Sequence, residues 1–306
     1  MSEAVNQNAE VRAGAARTFC VHESPQWQRL LARIRRRYQV VTQETVIGSL
    51  RFPFTRVADP DRVLDEVAAE ADLRDRLHGR QTDGNQLHLP YWAELWDSAW
   101  GMGTFLERAG LGDRGPMKAG EAGKAKCKMQ IANCKLQIES GERTPTAPQF
   151  EISNLKFKIC DPPHVLDLGC GMGLAGTVAA ALGAKVLFAD LERPALLFAA
   201  LNSLPWRNRV RTRRLDWQRD RLAERFDLIL GADILYERAQ WPFLEPFWRA
   251  HLAPGGSVLL GEPGRQTGDL FVDWIKPRGW DLTRYEEPVA TRPTPIRLLH
   301  IQPSPG

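Results

Sequence analysis

Lysine is scarce in most of this 306-residue chain: seven of its nine lysines lie between Asp113 and Asp161, a stretch holding only two of the thirty-two arginines. Cysteine is scarcer still. Its five residues form no C-x-x-C pair and an odd total, which argues against a disulfide framework and fits reduced thiols in a cytoplasmic protein. None of the six histidines, at positions 22, 78, 88, 164, 251 and 300, has a partner four residues away, so a metal held from one helix face is not expected. No run of about 18 uncharged apolar residues occurs, and Met1 to Glu10 lacks an apolar export core, so no membrane partner is expected. A net charge of only +4 is too slight for a protein that coats itself with polyanion, and nucleic acid is disfavoured as a partner.

What is present is enough apolar residue, 43%, to bury a sizeable core, and a clear division of the chain. Residues 1–37 read as a tail with room for a helix. Residues 38–112 read as a hairpin and helices that pack on a larger domain. Two β-rich runs, Tyr38 to Ile47 and Ser49 to Val57, flank Gly48, and Asp61 to Leu77 has helical spacing of its apolar residues. Residues 113–161 stand apart by composition. There Cys127–Asn133 (CKMQIAN) is followed at once by Cys134–Ser140 (CKLQIES), and Ile152–Ile159 echoes both. A repeat-derived insertion, as a hairpin or a flexible loop, is the simplest account, with a basic partner-binding arm as the alternative.

Beyond it, residues 162–303 alternate strand and helix. Strands are expected at Val165–Leu168, Lys185–Ala189, Val210–Leu215, Phe226–Gly231 and Ser257–Gly261, with two more near Trp280–Tyr285 and Ile296–Ile301. Helices are expected at Leu174–Leu182, Pro194–Leu204, Trp241–His251 and Asp269–Lys276. This alternation predicts an α/β fold, a mostly parallel sheet covered by helices on both faces.

The strongest local signal is Val165–Gly173 (VLDLGCGMG), an apolar strand that ends in Gly169, Gly171 and Gly173 and opens into a helix. Glycines there let the backbone turn sharply and approach a ligand, and the helix start offers unpaired N–H groups. Gly171, Gly173 and Gly176 also satisfy G-x-G-x-x-G, so a nicotinamide cofactor has to be weighed. Asp167 counts against it, because a carboxylate at the strand's end disfavours a pyrophosphate and suits a cationic amino-acid moiety. About 20 residues on stands Asp190, placed to accept both hydroxyls of a ribose or, alternatively, to cap the helix that starts near Pro194.

With these motifs the chain resembles the class I, seven-β-strand S-adenosylmethionine-dependent methyltransferases. Leu215-Asp-Trp217 and Leu230–Tyr236 (LGADILY) narrow the resemblance to the protein-lysine methyltransferases, in which the fourth core strand closes with Asp-x-x-Tyr and a segment like Glu94–Ala99 (ELWDSA) precedes the core. Gly261–Arg265 (GEPGR) is similar to a Gly-Asp-Pro-Gly-Arg segment of the branch directed at a mitochondrial flavoprotein. The resemblance covers Tyr38 to Leu111 and His164 to Ile301. It implies a Rossmann-like seven-stranded sheet, S-adenosylmethionine as cofactor and a protein lysine as substrate. It places Asp233 and Tyr236 in the catalytic role, and the cofactor contacts on Trp96, Asp167, Gly169, Cys170, Gly171, Gly173, Asp190, Leu191, Asp216, Trp217 and Ala232.

Other readings remain open at this point. Trp92, Trp96 and Trp100, four apart, could be a core stripe on one helix face. Trp217 could be ordinary core or a lid for a flat adenine ring, and Tyr236 could simply fix its loop. The substrate could be a small amine or a pyridine-type nitrogen, or the chain could be a non-catalytic binding module. The fourth-strand motif is not of the Asn-Pro-Pro-Tyr type that grips a flipped base, which again disfavours nucleic acid.

Overall fold

The computed structural model describes residues 17–18, 24–78, 89–111 and 162–304. The lysine-rich segment 113–161, with its repeats, lies outside them, as does most of the tail. Within the tail, α1 (Pro25–Arg35) starts at Ser24, whose hydroxyl accepts from the backbone N–H of Trp27 at 3.1 Å, with Pro25 at the first helical position. The expected hairpin forms from β2 (Val40–Ile47) and β3 (Leu50–Val57), turning at Gly48. A two-residue strand, β1 (Arg17–Thr18), pairs parallel with β3 and was not foreseen. Helix α2 (Pro60–His78) follows, then a short 3₁₀ turn at Tyr91–Ala93 and α3 (Asp97–Arg108).

The core is a seven-stranded sheet built from β4 (His164–Leu168), β5 (Lys185–Asp190), β6 (Val210–Arg214), β7 (Phe226–Ala232), β8 (Leu252–Glu262), β9 (Trp280–Glu287) and β10 (Ile296–Pro303). Its spatial order is β6-β5-β4-β7-β8-β10-β9, parallel except for β10, which runs antiparallel to both β8 and β9. The order reverses between β4 and β7, so the crevice at their carboxyl ends is where an open α/β sheet takes ligands. The expected fold class is therefore observed.

Alternate strand residues feed two separate cores. Val165, Leu228, Leu230 and Leu259 face the hairpin, α3, α4 (Leu174–Ala181) and α5 (Arg193–Asn202). Leu166, Ile229, Val258 and Leu260 face α6 (Trp241–His251) and α7 (Gln266–Ile275). The N-terminal unit is pinned to the glycine turn by Asn202, fully buried at the end of α5. Its amide accepts from Thr55 N at 2.8 Å and donates to Thr55 O at 3.0 Å and Met172 O at 2.9 Å. Exposed Arg211, Arg213 and Arg214 line β6, which blunts that sheet edge against pairing with another chain.

One of the alternatives left open by the sequence is excluded. Trp92, Trp96 and Trp100 do not share a helix face: Trp92 sits buried in the 3₁₀ turn, Trp96 is the N-cap of α3, and only Trp100 lies inside that helix. Glu94 and Trp96 have extended backbones, ψ 138° and 140°, and break the helical path between the three rings. The four-residue spacing is a coincidence of sequence.

Candidate active site

The turn after β4 carries positive φ at Gly169 (64°), Gly171 (51°) and Gly173 (82°). At Gly169 a Cβ would stand 2.9 Å from Ile234 Cγ2, and at Gly173 2.8 Å from Ala199 Cβ, so these two positions exclude a side chain on both conformation and space. Cys170 N donates to Ala189 O at 3.1 Å and ties the turn to β5. The Cys170 thiol is pushed well above its ordinary range, first by burial and then by Asp190 and Asp167.

Two carboxylates flank this turn. Asp167, 2% exposed, accepts from the N–H of Gly176 at 2.9 Å. Burial raises its pKa to about 7, against the lowering effect of that hydrogen bond, and Asp190 adds to the rise. Asp190 accepts from Gly171 N at 2.9 Å through Oδ2 and from Glu192 N at 2.8 Å through Oδ1, and burial raises it to about 6. The N-cap of α5 is Glu192, so Asp190 is not the helix cap that the sequence also allowed. Among the described residues neither carboxylate has a basic side chain within ion-pair distance. The result is a buried cup of two carboxyl groups whose negative charge, as they ionise, has no matching cation among the described residues.

The ionisation of Asp167 gives a measurable stability term. Its folded pKa lies above the unfolded value near 3.9, so the native state binds the proton more tightly and loses stability as pH rises from about 4 through about 7. Asp167→Asn removes that loss while keeping an acceptor for Gly176. We expect the variant to gain stability over the wild type progressively across this window, by about 2–4 kcal/mol at pH 8. Urea denaturation at pH 4, 6 and 8 measures it; a difference that stays flat with pH would contradict the assignment.

Trp217 follows β6, packs beside the turn with its Cζ3 3.6 Å from where a Gly169 Cβ would lie, and donates from Nε1 to Gln240 Oε1 at 3.1 Å. Asp216 is engaged locally, accepting from Gln218 N at 2.9 Å while its own N–H donates to Asp220 at 2.8 Å. Leu191 offers its carbonyl to Arg214 at 2.9 Å. Ala232 ends β7 at the same carboxyl edge.

Immediately after it, Asp233 is the one non-glycine residue with positive φ (57°) among those described, fixed by a 2.8 Å bond from its N–H to Gly261 O. Its Oδ1 pairs with Arg265 Nη1, whereas Oδ2 is buried without a hydrogen-bond partner. Burial raises its pKa above the ordinary range, with Arg265 pulling the other way. Tyr236 packs edge-on against Tyr91, ring centroids 5.5 Å apart, and burial pushes its hydroxyl up to about 12, so at neutral pH it is a hydrogen-bond donor.

The segment before α3 roofs these elements. Trp92 O lies 3.7 Å from the position of a Gly171 Cβ, Tyr91 meets Tyr236, and the Arg265 guanidinium lies 5.5 Å from the Trp96 ring centroid. Trp96 Nε1 donates to Tyr91 O at 3.1 Å. Trp96, the glycine turn, Asp190, Trp217, Ala232, Asp233 and Tyr236 are thus carried on adjoining loops of one sheet edge. Sequence reasoning missed the roles of Arg265, Glu262, Asn202 and Gln240; Arg265 and Glu262 had a signal, in the GEPGR segment.

This edge of the sheet lies within the part of the chain that is similar to known proteins. The family described as lysine methyltransferase matches residues 92–272, more than half of the chain. Protein N-lysine methyltransferase METTL21A of Danio rerio is 40% identical over 105 residues, 32% of this chain and 47% of that protein. EEF1A lysine methyltransferase 3 of Mus musculus is 32% identical over 122 residues, 38% of this chain and 50% of that protein. The chain thus spans about half the length of the curated relatives it matches. Among solved structures, the ribosomal protein L11 methylase of Lactobacillus delbrueckii subsp. bulgaricus has a TM-score of 0.41 at 20% identity, covering 50% of this chain and 74% of that one. The glycopeptide N-methyltransferase MtfA with S-adenosyl-L-methionine gives 0.40 at 20%, covering 47% and 82%. With the family's match running from the roof through the whole glycine turn to α7, this chain belongs to the lysine methyltransferase family.

Proposed function

We propose that this protein transfers a methyl group from S-adenosylmethionine to the side-chain amine of a lysine in a protein substrate, in the cytoplasm. The observation that carries the reading is the buried Oδ2 of Asp233, beside a cup of two carboxyl groups, all of them without basic or hydrogen-bonding side-chain partners at those positions among the described residues. A cup of this sign fits a cofactor bearing an ammonium and a sulfonium, and it opposes a pyrophosphate. Asp167, Gly169, Cys170, Gly171 and Gly173 would hold the amino-acid end. Asp190 and Leu191 would hold the ribose, and Asp216, Trp217 and Ala232 the adenine, with Trp96 at the roof. When bound, the cofactor supplies an electrophilic methyl carbon.

The rest of the task falls to side chains. A lysine amine has an unperturbed pKa of about 10.4 and must lose a proton before it can attack. Asp233 attracts the ammonium, then aligns the neutral amine by accepting a hydrogen bond at Oδ2, and offsets the positive charge that grows on nitrogen. Tyr236 and Tyr91 form a wall at the mouth.

Two measurements test this. Titration calorimetry with S-adenosylhomocysteine should saturate, and NADH should give no heat. Tritiated S-adenosylmethionine added with the protein to a total cell extract should label lysines of a discrete protein band. Label confined to small molecules would replace the protein-lysine reading by a small-amine one, and binding without any label would make the chain a binding module.

A further inference from the structure

A lone carboxylate is a poor companion for a methyl-accepting amine, because it stabilises the ammonium form that cannot attack. The structure contains an answer in the loop after β8. Arg265 takes Oδ1 of Asp233, and its backbone is fixed on both sides: its N–H donates to Glu262 Oε2 at 3.0 Å, and its carbonyl accepts from Arg297 Nη2 at 2.8 Å. Glu262 is in turn ion-paired with Arg297, which also reaches Asp269 at 2.6 Å. The guanidinium of Arg265 lies against Trp96, a surface that holds its plane in place. The other charged or titratable groups that act on Asp233 are Glu262, already paired, Arg292, whose Nη2 donates to Pro263 O at 2.7 Å, and Tyr236. Asp233 and Glu262 are each paired with a guanidinium, and Oδ2 of Asp233 is left without a hydrogen bond among the described residues.

We propose that Arg265 is a positioning residue that balances the charge of Asp233, so that the substrate amine meets a hydrogen-bond acceptor without meeting an unmatched negative charge. The inference rests on the lysine-methyltransferase reading and deepens it. The ammonium gives its proton to solvent; the nitrogen lone pair then forms the N–C bond as the S–C bond breaks, its electron pair staying on sulfur. By holding Oδ1, Arg265 directs Oδ2 at the amine and favours the neutral form of that amine at the pH of the cell.

Arg265→Gln keeps a donor to Oδ1 and removes the charge, whereas Arg265→Lys keeps the charge. With the protein labelled in extract as substrate, the rising limb of kcat/KM against pH should move up by about one unit in Arg265→Gln, about a tenfold loss at pH 7. Arg265→Lys should restore most of the wild-type profile. Independently of turnover, the Asp233 side-chain carbon of ¹³C-aspartate-labelled protein should titrate at higher pH in Arg265→Gln than in Arg265→Lys, with S-adenosylhomocysteine binding equal in both. An unmoved Asp233 titration, or two variants with equally reduced kcat and unshifted profiles, would overturn the role of Arg265. A wild type that labels no protein overturns the function itself, and the carbon titration still reads the Arg265 pair.

Discussion

Asp233→Asn is expected to bind S-adenosylhomocysteine within about twofold of the wild type and to lose about 100-fold or more in kcat/KM, the loss typical of removing one preorganised electrostatic contact to the reacting group. The substitution is a clean probe because of the backbone. With φ at 57°, Asp233 occupies the left-handed region, where asparagine is among the few side chains that sit without strain, so the fold, the bond to Gly261 O and the roof should be undisturbed. Alanine or glutamate at the same position would mix chemistry with backbone strain. Wild-type activity in the asparagine variant would remove Asp233 from the mechanism.

Asp190→Asn should act on the cofactor instead. Both carboxylate oxygens accept from backbone N–H groups, those of Gly171 and Glu192. An amide can serve only one of them and turns an NH₂ towards the other, so either the glycine turn or the start of α5 must shift. Leaving one buried donor unpaired costs about 1–3 kcal/mol, and the ribose loses its acceptor as well. We expect the dissociation constant for S-adenosylhomocysteine to rise by about 100-fold, read by calorimetry, together with a lower urea midpoint. Unchanged affinity would mean that the ribose lies elsewhere.

How far the sequence could be read depended on the range of the interactions involved. The strand, glycine turn and helix at Val165–Ala181 and the carboxylate closing β5 are local patterns, and α6 falls on the expected residues Trp241–His251. The start of β8 was misplaced at Ser257. The strand begins at Leu252 and runs through Pro254, Gly255 and Gly256, residues that read as a turn, because the pairing with β7 shifts register between Phe226 and Leu228 to absorb them. The tryptophans of the roof show the opposite case, a regular spacing without a helix beneath it, which is why the alternative of a core stripe falls. Asp233 could be found from its motif, but its pairing with Arg265 could not: the two residues lie 32 apart on different loops, and no periodicity links them.

The roof and the glycine turn are encoded on opposite sides of the lysine-rich stretch, since α3 ends at Arg108 and β4 starts at His164. Their mutual placement is supported by α3 lying on α4, β8 and β10 and by Asn202 clasping Thr55 and Met172. Closing a longer link adds only about 0.6 kcal/mol for each doubling of its length. By that closure term alone, a heptad duplication such as Cys127–Ser140 adds little to the cost of linking the roof to the glycine turn.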